Sequence, residues 1–248
     1  MQLPLFLQGA FAVTEKNIRI YYTKPPVFIF GLLFPLFLFI AFFMGRGLEL
    51  VLFYPGFLAM TLFFTASSVG PIITPWEKRD RTYERLLSYP LTVESIILGD
   101  ILAGALFGFG ISLMIWAVSV LIFSLPVGNP LLMGAAFVFG TATFATLGTL
   151  LASPASDTPS TVMMLSTLVR LPLIFISGIF IPLANLGGAA QAVAFLSPLT
   201  YLVDLFQGAM NGAGVIGPVT DLFALFVFIL LFGAGAVYFQ RRNLIKGL

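Results

Sequence analysis

The chain contains neither histidine nor cysteine. That removes thiol nucleophiles, disulfides, haem ligation and zinc sites built on His or Cys. The carboxylates that remain are scattered. Asp157, Asp204 and Asp221 fall at the ends of apolar runs or in a Gly- and Pro-interrupted stretch, and Glu94 and Asp100 stand at the entry to another run. The sequence shows no carboxylate pair, no His-Glu-x-x-His pattern and no Gly-rich phosphate loop, so no catalytic, metal or cofactor site is expected. Two features keep chemical interest: a charged island from Thr74 to Leu91 and a lone cation, Arg170.

The island, TPWEKRDRTYERLLSYPL, carries Glu77, Lys78, Arg79, Asp80, Arg81, Glu84 and Arg85 between runs long enough to cross a bilayer. Such charge cannot rest in hydrocarbon and belongs in water or against another protein. Thr74 and Glu77 have the spacing of a capping box, and Pro75 suits the first helical position. Glu77 and Arg81 stand at i,i+4, Arg81 and Glu84 at i,i+3, and Ser88-Tyr89-Pro90 closes the segment. A solvated loop would accommodate the charges. Caps at both ends favour a short rigid helix at the membrane surface that engages a soluble partner.

Arg170 lies near the middle of an apolar run, where an Arg costs about 2.5–3.5 kcal/mol on insertion scales. It needs a partner or a wet cavity. A carboxylate, or carbonyls freed near Pro172, would make it structural; a place on a substrate path would make it functional. Gly104-x-x-x-Gly108 and Gly233-Ala-Gly235 suit close helix packing, and the hydroxyls of Thr141 to Thr149 read as an interhelical face.

The elements that position these residues follow from composition. The chain is 59% hydrophobic and 9% charged, with a mean hydropathy of +1.06. A soluble domain carries about 25% charged residues, so the expected class is an all-α integral membrane protein. Its apolar runs are too long for a membrane barrel. Six spans are expected: about Val27 to Met44, Val51 to Ile73, Ser95 to Ser124, Leu131 to Ala152, Ser160 to Ile181 and Pro218 to Phe239.

Residues 1–24 read as an amphipathic helix in the interface plane, with Leu3, Leu7, Ala10, Phe11, Ile18, Tyr21 and Tyr22 on its apolar side. The segment lacks the basic start of a signal peptide. Residues 182–217 are too interrupted to span and too apolar for bulk water. They read as two short helices forming a half-buried, re-entrant outer cap. The whole, residues 1–248, reads as one transmembrane domain with no soluble domain inside it and no visible internal repeat.

Six spans place both termini on one side. Lys16, Arg19, Lys24, Lys78, Arg79, Arg81, Arg85, Arg241, Arg242 and Lys246 fall on that side, and Arg46 alone on the other. The positive-inside rule makes that side cytoplasmic in a multi-pass plasma-membrane protein. No nucleic-acid signature is present. A secondary transporter or channel without an ATPase is the competing class, and it would need ionisable residues along the path that the spans lack apart from Arg170.

This pattern resembles the ABC-2 type permeases, the membrane subunits of ABC exporters of the drug, polysaccharide and teichoic-acid type. Glu77-Lys78-Arg79-Asp80-Arg81-Thr82-Tyr83-Glu84-Arg85-Leu86-Leu87-Ser88-Tyr89-Pro90-Leu91 is similar to the family's coupling segment. Leu196-Ser197-Pro198-Leu199-Thr200-Tyr201-Leu202-Val203-Asp204 is similar to its outer-cap Ser-Pro-x-Thr-Tyr stretch. The family often has Gly where this chain has Arg81, and Lys where it has Asp100. The resemblance implies an exporter permease for a lipidic, amphipathic or drug-like substrate, working as a homodimer with two copies of a separate ATPase. That subunit would use the ATP, since this chain has no ATP site of its own. ATPase coupling would fall to Glu77, Arg79, Asp80, Arg81, Glu84 and Arg85.

Overall fold

The computed structural model describes residues 4–43, 50–126, 128–154 and 158–245. The expected turn carrying Arg46 and Glu49, and the positions of Asp157 and Lys246, lie outside these residues. Among the described residues the protein is all helical. The order is α1 (Leu5–Tyr21), α2 (Pro25–Phe28), α3 (Phe34–Phe43), α4 (Leu50–Ser68), α5 (Gly70–Arg79), α6 (Thr82–Leu87), α7 (Val93–Phe123), α8 (Pro130–Leu151), α9 (Pro159–Ile176), α10 (Gly188–Ala194), α11 (Pro198–Asn211) and α12 (Pro218–Ile245). A π-helical segment, Ile29–Leu33, joins α2 to α3, so the described part of the first apolar run is helical but under-wound near its start.

Among the described residues, five helices are long and apolar enough to cross a membrane: Val51–Arg79, Val93–Phe123, Pro130–Leu151, Pro159–Ile176 and Pro218–Leu244. The pair α10 and α11, bent by 98°, raises the total to six if it counts as one span. Local chemistry sets the ends. Thr92 caps α7 by accepting from Ser95 N at 3.2 Å, Asn129 caps α8 by accepting from Leu131 N and Leu132 N at 3.1 Å, and Ser197 caps α11 ahead of Pro198. Gly212, with φ +67°, ends α11 in the left-handed conformation that glycine accepts without strain.

The second span is the axis of the bundle. Every residue from Tyr54 to Pro75 is buried. It packs against α7, α8 and α11. The approach is close because the neighbours present glycines: a Cβ on Gly108 would lie 2.5 Å from the Ala66 Cβ, and one on Gly148 2.6 Å from the Ser67 carbonyl oxygen. Gly70 and Gly148 bring the two backbones together, a Cβ on Gly70 falling 2.7 Å from the Gly148 carbonyl. The Gly104-x-x-x-Gly108 motif is thus a packing surface, and Gly235 packs against Leu150 in the same way. Aromatic rings fill the wider levels, Phe63 edge-on to Phe144 at 4.9 Å and Phe137 to Phe206 at 5.3 Å. Thr141, Thr143, Thr146 and Thr149 each donate to the carbonyl four residues back in α8, and Thr143 also reaches the Leu225 carbonyl of α12 at 3.3 Å.

Helix α1 lies on α7 along Gly9, Ala10, Val13, Thr14, Asn17 and Tyr21. Gly99 permits the contact, with Val13 in the space a side chain would take. The other side of α1 exposes Leu5, Phe6, Phe11 and Ile20.

Candidate functional site

The island does not start a helix at Thr74. Helical hydrogen bonds already run from Ile72 N and Ile73 N to the Val69 carbonyl, at 3.1 and 3.0 Å. With only a bend at Val69, Val51–Arg79 counts as one span. Pro71 sits in the first turn of α5, and Pro75 is carried inside the helix. The Thr74 hydroxyl is buried and turned toward Asp100 Oδ2 of α7 at 3.4 Å, so it is not free to cap. The chain breaks later, at Asp80–Arg81. Asp80 N closes α5 by donating to the Trp76 carbonyl at 2.9 Å, Arg81 takes φ +54°, and α6 begins at Thr82. The segment is an elbow of two helices, its inner arm buried and its outer arm short.

This elbow separates the predicted coupling residues. Glu77 is 2% exposed and forms an ion pair with Lys16 of α1, while its Oε2 has no partner. The expected Glu77–Arg81 pair is replaced by this one because Arg81 leaves the helix. Asp100 is held by Asn17 Nδ2 at 2.7 Å together with Thr74. Arg79, Asp80, Arg81, Glu84 and Arg85 are exposed. Arg79 Nε donates to Asp80 Oδ1 at 3.1 Å, and the Arg79 guanidinium and Lys24 ammonium each lie 5.3 Å from the Trp76 ring centre. Tyr83 turns inward from α6 and donates to Gln240 Oε1 of α12 at 3.3 Å. Burial, with the Asp100 and Glu77 carboxylates nearby, pushes the Tyr83 phenol up, so it stays an O–H donor. On the rim, Arg241 Nε of α12 donates to Glu94 Oε1 of α7 at 2.6 Å.

Five helices therefore meet at one end of the bundle around a buried polar knot, and the exposed charges of the elbow cap it. Sequence spacing could not find Asn17 or Lys16 as members, since their partners stand 83 and 61 residues away.

Arg170 is 3% exposed. Its Nη2 donates to the Ser67 carbonyl, and its Nε has no partner. The acceptor explains itself. In a helix the Ser67 carbonyl would take the N–H of residue 71, and residue 71 is Pro. The carbonyl that holds Arg170 is one freed by Pro71 across the helix interface, not one near Pro172. The adjoining face of α9 borders a groove of about 500 Å³ lined by Ser160, Met163, Met164, Thr167, Leu168 and Leu171.

A helical bundle around a span buried from Tyr54 to Pro75, with a charged elbow at one end and a bent helix pair beside the last span, is the fold of a multi-pass membrane protein. The family description "ABC-2 type transporter" matches residues 8–211, and the chain belongs to that family. It is 27% identical over 155 residues to the inner membrane transport permease YadH of Escherichia coli (strain K12), and equally to the YadH proteins of Escherichia coli O157:H7 and Shigella flexneri. The match covers 62% of this chain and 60% of each relative's length.

Proposed function

We propose that this chain is the membrane subunit of an ATP-driven exporter and that the exposed face of the elbow receives a separate ATPase. One observation carries the reading: Arg79, Asp80, Arg81, Glu84 and Arg85 are exposed at the end of the span that forms the core of the bundle. A push on this face would pass from α6 across the Asp80–Arg81 break into α5, the inner arm of the core span. Glu77 belongs to the same device from the inside, tying the elbow to α1 through Lys16. Two copies of the chain would join two ATPase copies, with the elbow and both termini cytoplasmic. ATP would be bound and hydrolysed by the partner. The substrate would be lipidic, amphipathic or drug-like, in keeping with the apolar interior. Arg170 would act on its path by gripping the second span at the bend between α4 and α5.

The test is co-purification of the ATPase with the permease, together with ATP turnover in lipid. Glu84→Lys sets a third cation beside Arg81 and Arg85 on an exposed arm, where like charges repel without disturbing the core. The variant should insert and assemble as wild type while ATPase binding or substrate-stimulated turnover falls. Unchanged binding and turnover for both Glu84→Lys and Arg81→Glu would remove the coupling role.

A further inference from the structure

Sequence spacing gives no carboxylate pair, but the fold makes one. Asp204 of α11 and Asp221 of α12 are 2% and 1% exposed and meet at Gly217, whose N–H points at Asp204 Oδ2 and whose carbonyl accepts from Asp221 N at 3.0 Å, so the two buried carboxyls are neighbours. Asp204 is already engaged. Its Oδ1 accepts from Val215 N at 2.7 Å, and its Oδ2 from Ile216 N at 2.9 Å and Gly217 N at 3.4 Å. It therefore holds the turn that leads into α12. Asp221 Oδ1 has no partner. Two ionised carboxylates are both pure acceptors and cannot bond to each other. One proton between them converts the contact into an O–H···O⁻ hydrogen bond, among the stronger kinds.

Among the described residues the surroundings offer no other neutraliser. The chain has no Lys or Arg between Arg170 and Arg241. Of the helices that pack on α11 and α12, α8 carries no titratable residue, and α7 carries Glu94 and Asp100 in its first turns, at the end that also holds Lys16 and Arg241. Helix α4 brings Tyr54, α9 brings Arg170 with its Nη2 on Ser67, and α11 itself brings Tyr201, whose O–H donates to the Phe195 carbonyl at 3.0 Å. Arg46 and Glu49 belong to residues 44–49, outside the described set. A metal cation fits poorly, because three N–H groups already point at the Asp204 oxygens.

We propose that Asp204 and Asp221 form a single-proton site in which Asp221 is the neutral acid, donating to the Asp204 carboxylate and latching α11 to the start of the last span. The bound proton belongs to this latch. By linkage, raising the pH must weaken it. This site is independent of any ATPase.

The full-length permease in lipid nanodiscs supplies the test. Infrared difference spectra of wild type at neutral pH should show a protonated carboxylic C=O band that is lost in Asp221→Asn. Thermal unfolding of wild type should shift down by at least about 2–4 °C between mildly acidic and alkaline pH. Asp221→Asn keeps an N–H donor toward Asp204 and should lose that dependence while staying folded at high pH. Asp204→Asn should be destabilised at every pH, since it gives up acceptors for three backbone N–H groups. Arg46→Gln and Glu49→Gln should leave the wild-type profile unchanged. Absence of the protonated band in wild type overturns the proposal even if the variants fail to fold. So does a pH dependence that survives in Asp221→Asn. Stabilisation by sodium or magnesium that Asp221→Asn abolishes would assign the pair to a cation and overturn it equally.

Discussion

Arg170 and Pro71 form a reciprocal pair. Pro71 removes the N–H that the Ser67 carbonyl would have received, and Arg170 supplies another from α9. A buried carbonyl left without a donor costs about 1–3 kcal/mol. Arg170→Leu should lower the unfolding temperature, and Pro71→Ala, which restores an in-helix donor to Ser67, should recover part of the loss. Thermal unfolding of the two single variants and the double variant in detergent measures the coupling. Additive effects would show that the Arg170–Ser67 contact does not stabilise the bundle. The sequence announced Arg170 as an anomaly, because any Arg in an apolar run is one. It could not name the partner, since Pro71 and Arg170 meet only when α5 and α9 pack together.

At the scale of elements, the elbow shows how a local motif is overruled. Thr74-Pro75-Trp76-Glu77 has the letters of a helix start, and the helix runs straight through it. The capping box requires a Thr free to face its own backbone, whereas this Thr74 faces Asp100 and Glu77 faces Lys16. The true break is marked by Arg81 at φ +54°. A left-handed non-glycine residue costs about 1–2 kcal/mol. Arg81→Gly should therefore raise the unfolding temperature slightly, and Arg81→Val should lower it. Equal unfolding temperatures for both variants would mean that the elbow does not hold this backbone conformation in solution. The apolar runs were legible because they are long and contain few charges. The bend between α10 and α11 was legible from Gly and Pro content, and the end of the second span was not.

For the molecule as a whole, the span Val51–Arg79 sets a length. Its 29 residues at about 1.5 Å each give roughly 43 Å, against a hydrocarbon core of about 30 Å. One end must stand clear of the acyl chains by about a dozen Å, and the charges put that end at Arg79. Trp76 sits one turn below it, and Trp116 of α7, the other tryptophan, lies 6.0 Å from the Phe137 ring near the opposite end. The protein thus carries its own optical depth gauge. In a Trp116→Phe variant, Trp76 alone emits, and spin labels at the lipid headgroup should quench it more than labels at the acyl terminus. Stronger quenching by the deep label would sink the elbow into hydrocarbon and away from any soluble partner. The same emission, followed during ATP turnover, would register a piston movement of the second span as a change in colour, with no dye attached.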